Sequence, residues 1–348
     1  MSKYRKRLPQ FGNALFITDG GLEHALSFED GLRVPAFLTF DLLRHAVGRA
    51  SLGRYFARYA ELARSHGVGL VLESPTARAN PDWGANLGYG TPALAHTNRK
   101  AIELLLEVRS TFESSDTQIV ISGNVGPRAD AYDSAQRMDA YEAAHYHAPQ
   151  IETLAQTEAD MVSACSIGYA DEAIGIALVA AAYSMPLAVS FRLRSDGRLS
   201  SGEVLAEAIG RVDRESRHSR MYYMIECASP AQFAGVLAAQ GAAAERIRGL
   251  RLIARNGSDI VDAADLGTQF RTLRLELPHL SVAGASYAGV HAMCAAMSAQ
   301  PVPVDAELPL SQLYSTEFHI GGVQGGSGAK LKRTSRLAAR GSSILSAG

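Results

Sequence analysis

The stretch LSVAGASYAG, residues 280–289, decides the fold. Leu280 to Ala283 form a short apolar run, as in a strand covered on both faces. Gly284, Ala285 and Gly289 then let the chain turn sharply with backbone close to backbone. Seven earlier runs share this character: LFIT (15–18), GLVLES (69–74), IVISG (119–123), MVSAC (161–165), PLAVSF (186–191), YYMIE (222–226) and LRLIA (250–254). Segments with apolar residues at three- and four-residue spacing lie between them, among them 54–67, 93–112, 140–159, 171–184, 201–213, 230–241 and 262–275, with Pro149 interrupting the third. Eight strands alternating with helices predict an α/β fold, a (β/α)8 TIM barrel with an additional C-terminal segment. An open doubly wound sheet is the competing architecture, but no GxGxxG follows the first strand.

The chain has 348 residues, 47% hydrophobic and 20% charged, with a formal net charge of -1. Those proportions predict a soluble globular protein with a large core. The near-neutral balance provides no electrostatic footprint for nucleic acid. Cys165, Cys227 and Cys294 are widely spaced and odd in number, which predicts no disulfide framework and a reducing, cytoplasmic setting. The start, MSKYRKRLPQFGNALF, does not read as a signal peptide. No uninterrupted apolar stretch of about 20 residues is available to cross a bilayer.

In a (β/α)8 barrel the site lies at the C-terminal ends of the strands. After strand 1, Asp19 precedes Gly20 and Gly21; its carboxylate either enters the barrel mouth or caps the next helix. After strand 2, Glu73, Thr76, Arg78, Asn80 and Trp83 furnish a long loop, read as a substrate lid or as packed surface. Strand 3 ends near Asn124 and Arg128, strand 4 at Cys165 and strand 5 at Arg192 and Arg194. Strand 6 ends at Glu226 and Cys227, strand 7 at Arg255, Asn256, Gly257 and Ser258, and strand 8 at Ser286 and Tyr287. No HxxxH, CxxC or GxSxG arrangement accompanies them.

Taken in order, TDGGLEHAL, SPTARANPDWGANLGYG, SGNVGPRADAY, HYHAPQIETLAQTEADMVSAC, VSFRLRSDGRLSSGEVLAEAI, MIECASPAQF, LRLIARNGSDIVDAADL and LPHLSVAGASYAG resemble the homocysteine S-methyltransferase family over residues 12–294. The family includes betaine- and S-methylmethionine-dependent enzymes. The resemblance implies a (β/α)8 barrel and zinc chemistry. Three cysteine thiolates hold the ion, one after strand 6 in an NC pair and two after strand 8 in GGCC. The bound homocysteine sulfur becomes a thiolate at neutral pH and attacks a methyl on a cationic sulfur or nitrogen. The Asp of the DGG motif and, in some members, a Glu after strand 4 help hold the amino acid.

Only part of that set is present. Cys227 stands at the first thiolate position, preceded by Glu226 rather than Asn. Gly284, Ala285, Ser286 and Tyr287 align with GGCC, Cys165 occupies the strand 4 Glu position, and Asp19 is retained. The expectation is therefore no metal and no cofactor. The enzyme would be a divergent methyltransferase acting on a small amino-acid-like or onium substrate. Cys227 and Tyr287 are the expected nucleophile or general base, with Asp19, Thr76, Arg78, Asn124, Cys165, Glu226 and Ser286 binding substrate. Asp19 would hold a cationic group, and Arg78 or Arg128 a carboxylate. No nucleic acid or membrane partner is expected. The alternative is a non-catalytic barrel acting as a binding or assembly module. On either reading residues 1–294 form the barrel and 295–348, which carry a basic tail from Lys330 to Arg340, an extension for homo-oligomerisation or a lid.

Overall fold

The computed structural model describes residues 1–298 apart from 30, 32–33, 35–37, 130–135, 228, 239 and 253–262. Eight parallel strands close into a barrel in chain order. They are β1 (Phe16–Asp19), β2 (Gly69–Glu73), β3 (Ile119–Val125), β4 (Met161–Ile167), β5 (Leu187–Arg192), β6 (Met221–Cys227), β7 (Ile247–Leu252) and β8 (Val282–Ala285). β1 closes the ring, with Phe16 in register with Gly69 on one side and Val282 on the other. Each strand is followed by a main helix: α1 (Ala46–His66), α2 (Thr91–Phe112), α3 (Ala140–Ala155), α4 (Ala170–Ala182), α5 (Leu205–Ser216), α6 (Pro230–Ala238), α7 (Ala263–Glu276) and α8 (Tyr287–Ser298).

Local chemistry fixes these helices. Asp139 and Glu142 form a reciprocal capping box at the start of α3, and Gly67 ends α1 at φ 61, where a side chain would be strained. Pro149 was a candidate interruption, yet α3 runs through it. Tertiary packing outweighs the lost hydrogen bond, because α3 lies close against α4: a Cβ on Gly175 would fall 2.5 Å from the Ala143 Cβ.

The barrel interior is graded. At its N-terminal end Phe16, Val71, Val120, Met161, Ala188, Tyr222, Met224 and Val282 form one apolar cluster with Leu8 from the chain start. Burial of each large side chain there contributes roughly 1.5–3 kcal/mol. Gly69 leaves the space that the Phe16 ring occupies, since a Cβ would meet that ring at 2.2 Å. The segment before β1 seals this end. Arg5 donates to the carbonyls of Ala155, Thr157 and Ala159, and the Ser281 hydroxyl donates to the Gln10 carbonyl at 2.6 Å. Towards the C-terminal end the inward positions turn polar, beginning with Ser122 and Ser163, whose hydroxyls lie 2.7 Å apart.

Residues 299–348, most of the expected extension, lie outside the described residues, as does the strand 7 sequence Arg255 to Ser258. Among the described residues no helix is long and apolar enough to cross a membrane.

Candidate active site

The C-terminal ends of the strands carry a buried ionic network. Arg251 of β7 donates to Glu73 of β2 at 2.5 Å and to the Cys165 sulfur of β4 at 3.4 Å, and the Cys165 thiol lies 3.6 Å from the same Glu73 oxygen. These three strands are not neighbours in the ring, so the contacts cross the interior. Gly284 makes room for the guanidinium stem: a Cβ there would lie 2.8 Å from Thr18 Cγ2 and 3.4 Å from Arg251 Cγ. That is the role of the glycine in the LSVAG run. Burial opposes the Arg251 charge, but Glu73, Cys165, Glu226 and Asp19 outweigh it and hold the guanidinium above its usual pKa. Burial, reinforced by Glu73, pushes the Cys165 thiol well up, so the sulfur stays protonated.

A second carboxylate is pinned beside this network. Both oxygens of Glu226 accept hydrogen bonds from Ser166, one from its N–H and one from its hydroxyl, each at 2.8 Å. Ser166 has a left-handed backbone at φ 58, next to a register shift in β4 between Ala164 and Ile167. Such a conformation costs of order 1–3 kcal/mol in a non-glycine residue. The bulge re-aims the strand end, and the two charge-assisted bonds hold it there. Arg192 of β5 approaches the same carboxylate at 4.0 Å.

Asp19 ends β1 half-buried, its Oδ2 accepting from the Tyr55 hydroxyl of α1 at 2.9 Å. Burial and the nearby Glu73 carboxylate push its pKa up to about 7, against the opposing pull of Arg251 and Tyr55. The two glycines behind it have separate reasons. Gly20 lies against β8, where a Cβ would sit 2.9 Å from the Ala285 carbonyl carbon, and Gly21 turns at φ 100.

Of the residues expected from sequence, Asp19, Cys165 and Glu226 meet in this mouth with Glu73. Asn124 is at an inward position of β3, and its Oδ1 is buried without a hydrogen-bond partner. Thr76 is tied into the scaffold, its hydroxyl donating to the Asn124 carbonyl at 2.8 Å and paired with Ser74 at 2.7 Å. The strand 2 loop is packed: Trp83, Leu87 and Tyr89 lie against Leu38, Phe40, Ala79 and Leu94, and Arg78 stacks on Trp83 at 4.0 Å. Arg128 binds Asp82 at 2.7 Å. The Cys227 sulfur donates to the Ser229 carbonyl at 3.4 Å, and exposed Ser286 accepts from Gly289 N–H at 3.4 Å. Tyr287 packs against α1, edge-on to Tyr59 at 5.6 Å and under Arg58 at 4.5 Å. Cys227 thus ends β6 and Tyr287 opens α8.

Three residues of the mouth were not singled out from sequence. Arg251 shares β7 with a second charge, Arg248, and interrupts the apolar run Leu250–Ala254, a readable signal. Tyr55 repeats with Tyr59 at helical spacing and reads as core. Ser166 has no sequence signature, because nothing local marks a left-handed serine.

Cys227 ends β6, and Ser286 and Tyr287 follow β8. Among the described residues no three His, Cys, Asp or Glu side chains gather as a metal site would need.

The family model for homocysteine S-methyltransferase matches residues 16–261. No curated protein sequence matches the chain. Among solved structures, the metallated form of the Escherichia coli homocysteine methyltransferase MmuM superposes with a TM-score of 0.65 at 17% identity, covering 82% of this chain and 96% of that one. Its oxidized form gives 0.67 at 16% identity, covering 84% and 99%. At these identities the superpositions establish the barrel, while the family match extends from β1 through β7 and ends before β8. This chain belongs to the homocysteine S-methyltransferase family.

Proposed function

We propose that the barrel mouth transfers a methyl group between a small onium donor and an amino-acid-like acceptor without the family's zinc. The observation that carries this reading is the set of three carboxylates, Asp19, Glu73 and Glu226, at the C-terminal ends of the strands. The three carboxylates outnumber the two arginines beside them, Arg251 and Arg192, which suits a positively charged sulfonium or quaternary ammonium. Glu73 and Glu226 are buried and committed to Arg251 and Ser166. Asp19 is the half-buried one, and its pKa of about 7 suits a proton acceptor at neutral pH. An acceptor S–H, N–H or O–H would give its proton to Asp19 as its lone pair forms the bond to the methyl carbon. The carbon–onium bond breaks, and its electron pair leaves with the now neutral donor. This assigns to Asp19 the proton transfer that sequence placed on Tyr287 or Cys227. The three free, buried cysteines are consistent with a reducing cytoplasm.

The test is methyl transfer from S-methylmethionine, betaine or S-adenosylmethionine to a panel of thiols, amines and hydroxyls. The expected result is product with one donor–acceptor pair, little changed in Cys227→Ala and Tyr287→Phe and lost in Asp19→Asn. No product from any pair would end the proposal.

A further inference from the structure

At the opposite, N-terminal end of the barrel a cavity of about 710 Å³ opens between the chain start and the residues just before β3, β5 and β6. Its volume falls in the range that holds small organic ligands. Arg5, Lys6, Arg7 and Arg220 line it. Arg248 lies alongside, over the Phe11 ring at 5.5 Å, with its Nη1 buried and without a hydrogen-bond partner among the described residues.

Among the described residues none of these five cations is hydrogen-bonded to a carboxylate. Arg5 and Arg220 donate to main-chain carbonyls, those of Ala155, Thr157 and Ala159 for Arg5 and of Arg5 and Ser184 for Arg220. Lys6 and Arg7 are exposed. The carboxylates of this face are engaged elsewhere. Asp160 accepts from Arg109, Tyr4 N–H and Ile121 N–H; Glu113 accepts from Lys3, the Tyr4 hydroxyl and Ile119 N–H. Asp213 is paired with Arg246, and Glu158 with the terminal ammonium. Burial, with the like charge of Arg220 opposing Asp160, lowers the Arg5 pKa, so the site holds cations at a cost that a bound anion would relieve.

Concentrated positive charge on a chain of net charge -1 is a local feature, not a reflection of composition. Leu8, Pro9, Phe11 and Pro186 supply apolar wall beside the cations. Charge on one side and apolar surface on the other suit a molecule with a multiply charged head and an organic body. We propose that this cavity is a second binding site, separate from the barrel mouth, for a phosphate-bearing organic metabolite. Lys6 and Arg7 would reach the phosphates from the rim and Arg220 from the wall.

The experiment is isothermal titration calorimetry of the full chain at low salt with ATP, AMP, adenosine and inorganic phosphate as probes. It is repeated on the Lys6→Ala/Arg7→Ala double variant, whose side chains are exposed and whose fold is checked by circular dichroism. One ATP per chain is expected, with AMP weaker, adenosine weakest, and the double variant weaker by about tenfold or more. No ATP binding, or ATP binding unchanged in the double variant, would overturn the site. Inorganic phosphate binding as tightly as ATP would overturn the organic ligand.

Discussion

Replacing Asp19 by Asn is expected to lower methyl-transfer rate by about 10²- to 10⁴-fold while making the protein more stable above pH 7. The two effects come from the same interaction. Asn keeps the oxygen that accepts from the Tyr55 hydroxyl at 2.9 Å, so the local geometry survives. What it removes is a carboxylate that can take a proton. In the wild type the folded state favours protonated Asp19, because burial and Glu73 raise its pKa from 3.8 to about 7. The associated stability is therefore fully present below the ordinary carboxylate pKa and is lost as pH rises through about 7. Above that pH the wild type carries a charge the fold disfavours, and the variant does not. Thermal melts from pH 4 to pH 8 should show the Asn variant gaining on the wild type progressively up to about pH 7 and no further above it. The wild-type rate should rise with pH through about 7 as the base form appears. Tyr55, Tyr59, Glu23, Glu73 and Arg251 are the titratable or charged groups around Asp19. Burial moves both tyrosines upward, which places them outside this window. A variant with unchanged rate, or a flat wild-type profile across neutrality, would remove Asp19 from the reaction.

Arg251→Met is expected to destabilise the fold by about 3–5 kcal/mol, the largest stability effect of any single change in the mouth. The guanidinium links β7 to β2 and β4 through Glu73 at 2.5 Å and Cys165 at 3.4 Å. Its removal leaves the buried Glu73 carboxylate without its cation, and most of the expected loss is the cost of that unpaired charge. Adding Glu73→Gln should recover a large part, because the orphaned charge is gone. Chemical denaturation of the two single variants and the double variant gives the coupling energy directly. Additive losses would mean that the two side chains stabilise the barrel independently.

The barrel was legible because its determinants are local and repeated. Eight apolar runs without polar alternation, separated by helical spacing, leave few architectures in which every strand is covered on both faces. The mouth was legible in part. Asp19 announced itself through Gly20 and Gly21, whose close approach to β8 and positive φ the structure explains. Cys165 and Glu226 followed from their places at strand ends. The partners of those groups were not legible, because a pairing such as Glu73 with Arg251 joins residues 178 positions apart and depends on the ring closing. Ser166 was hidden for another reason: its role rests on a bulge and a left-handed backbone that no residue type requires. Tyr287 stands at the start of α8, where α1 supplies its packing partners from far earlier in the chain.

The central claim is that this family member performs methyl transfer with a carboxylate-lined mouth in place of a zinc thiolate centre. It is tested most directly by measuring the zinc content and the methyl-transfer activity of the same purified preparation, before and after chelation. The account predicts far less than one zinc per chain and activity unchanged by the chelator. One zinc per chain, lost together with activity on chelation and restored with it on adding zinc back, would contradict it.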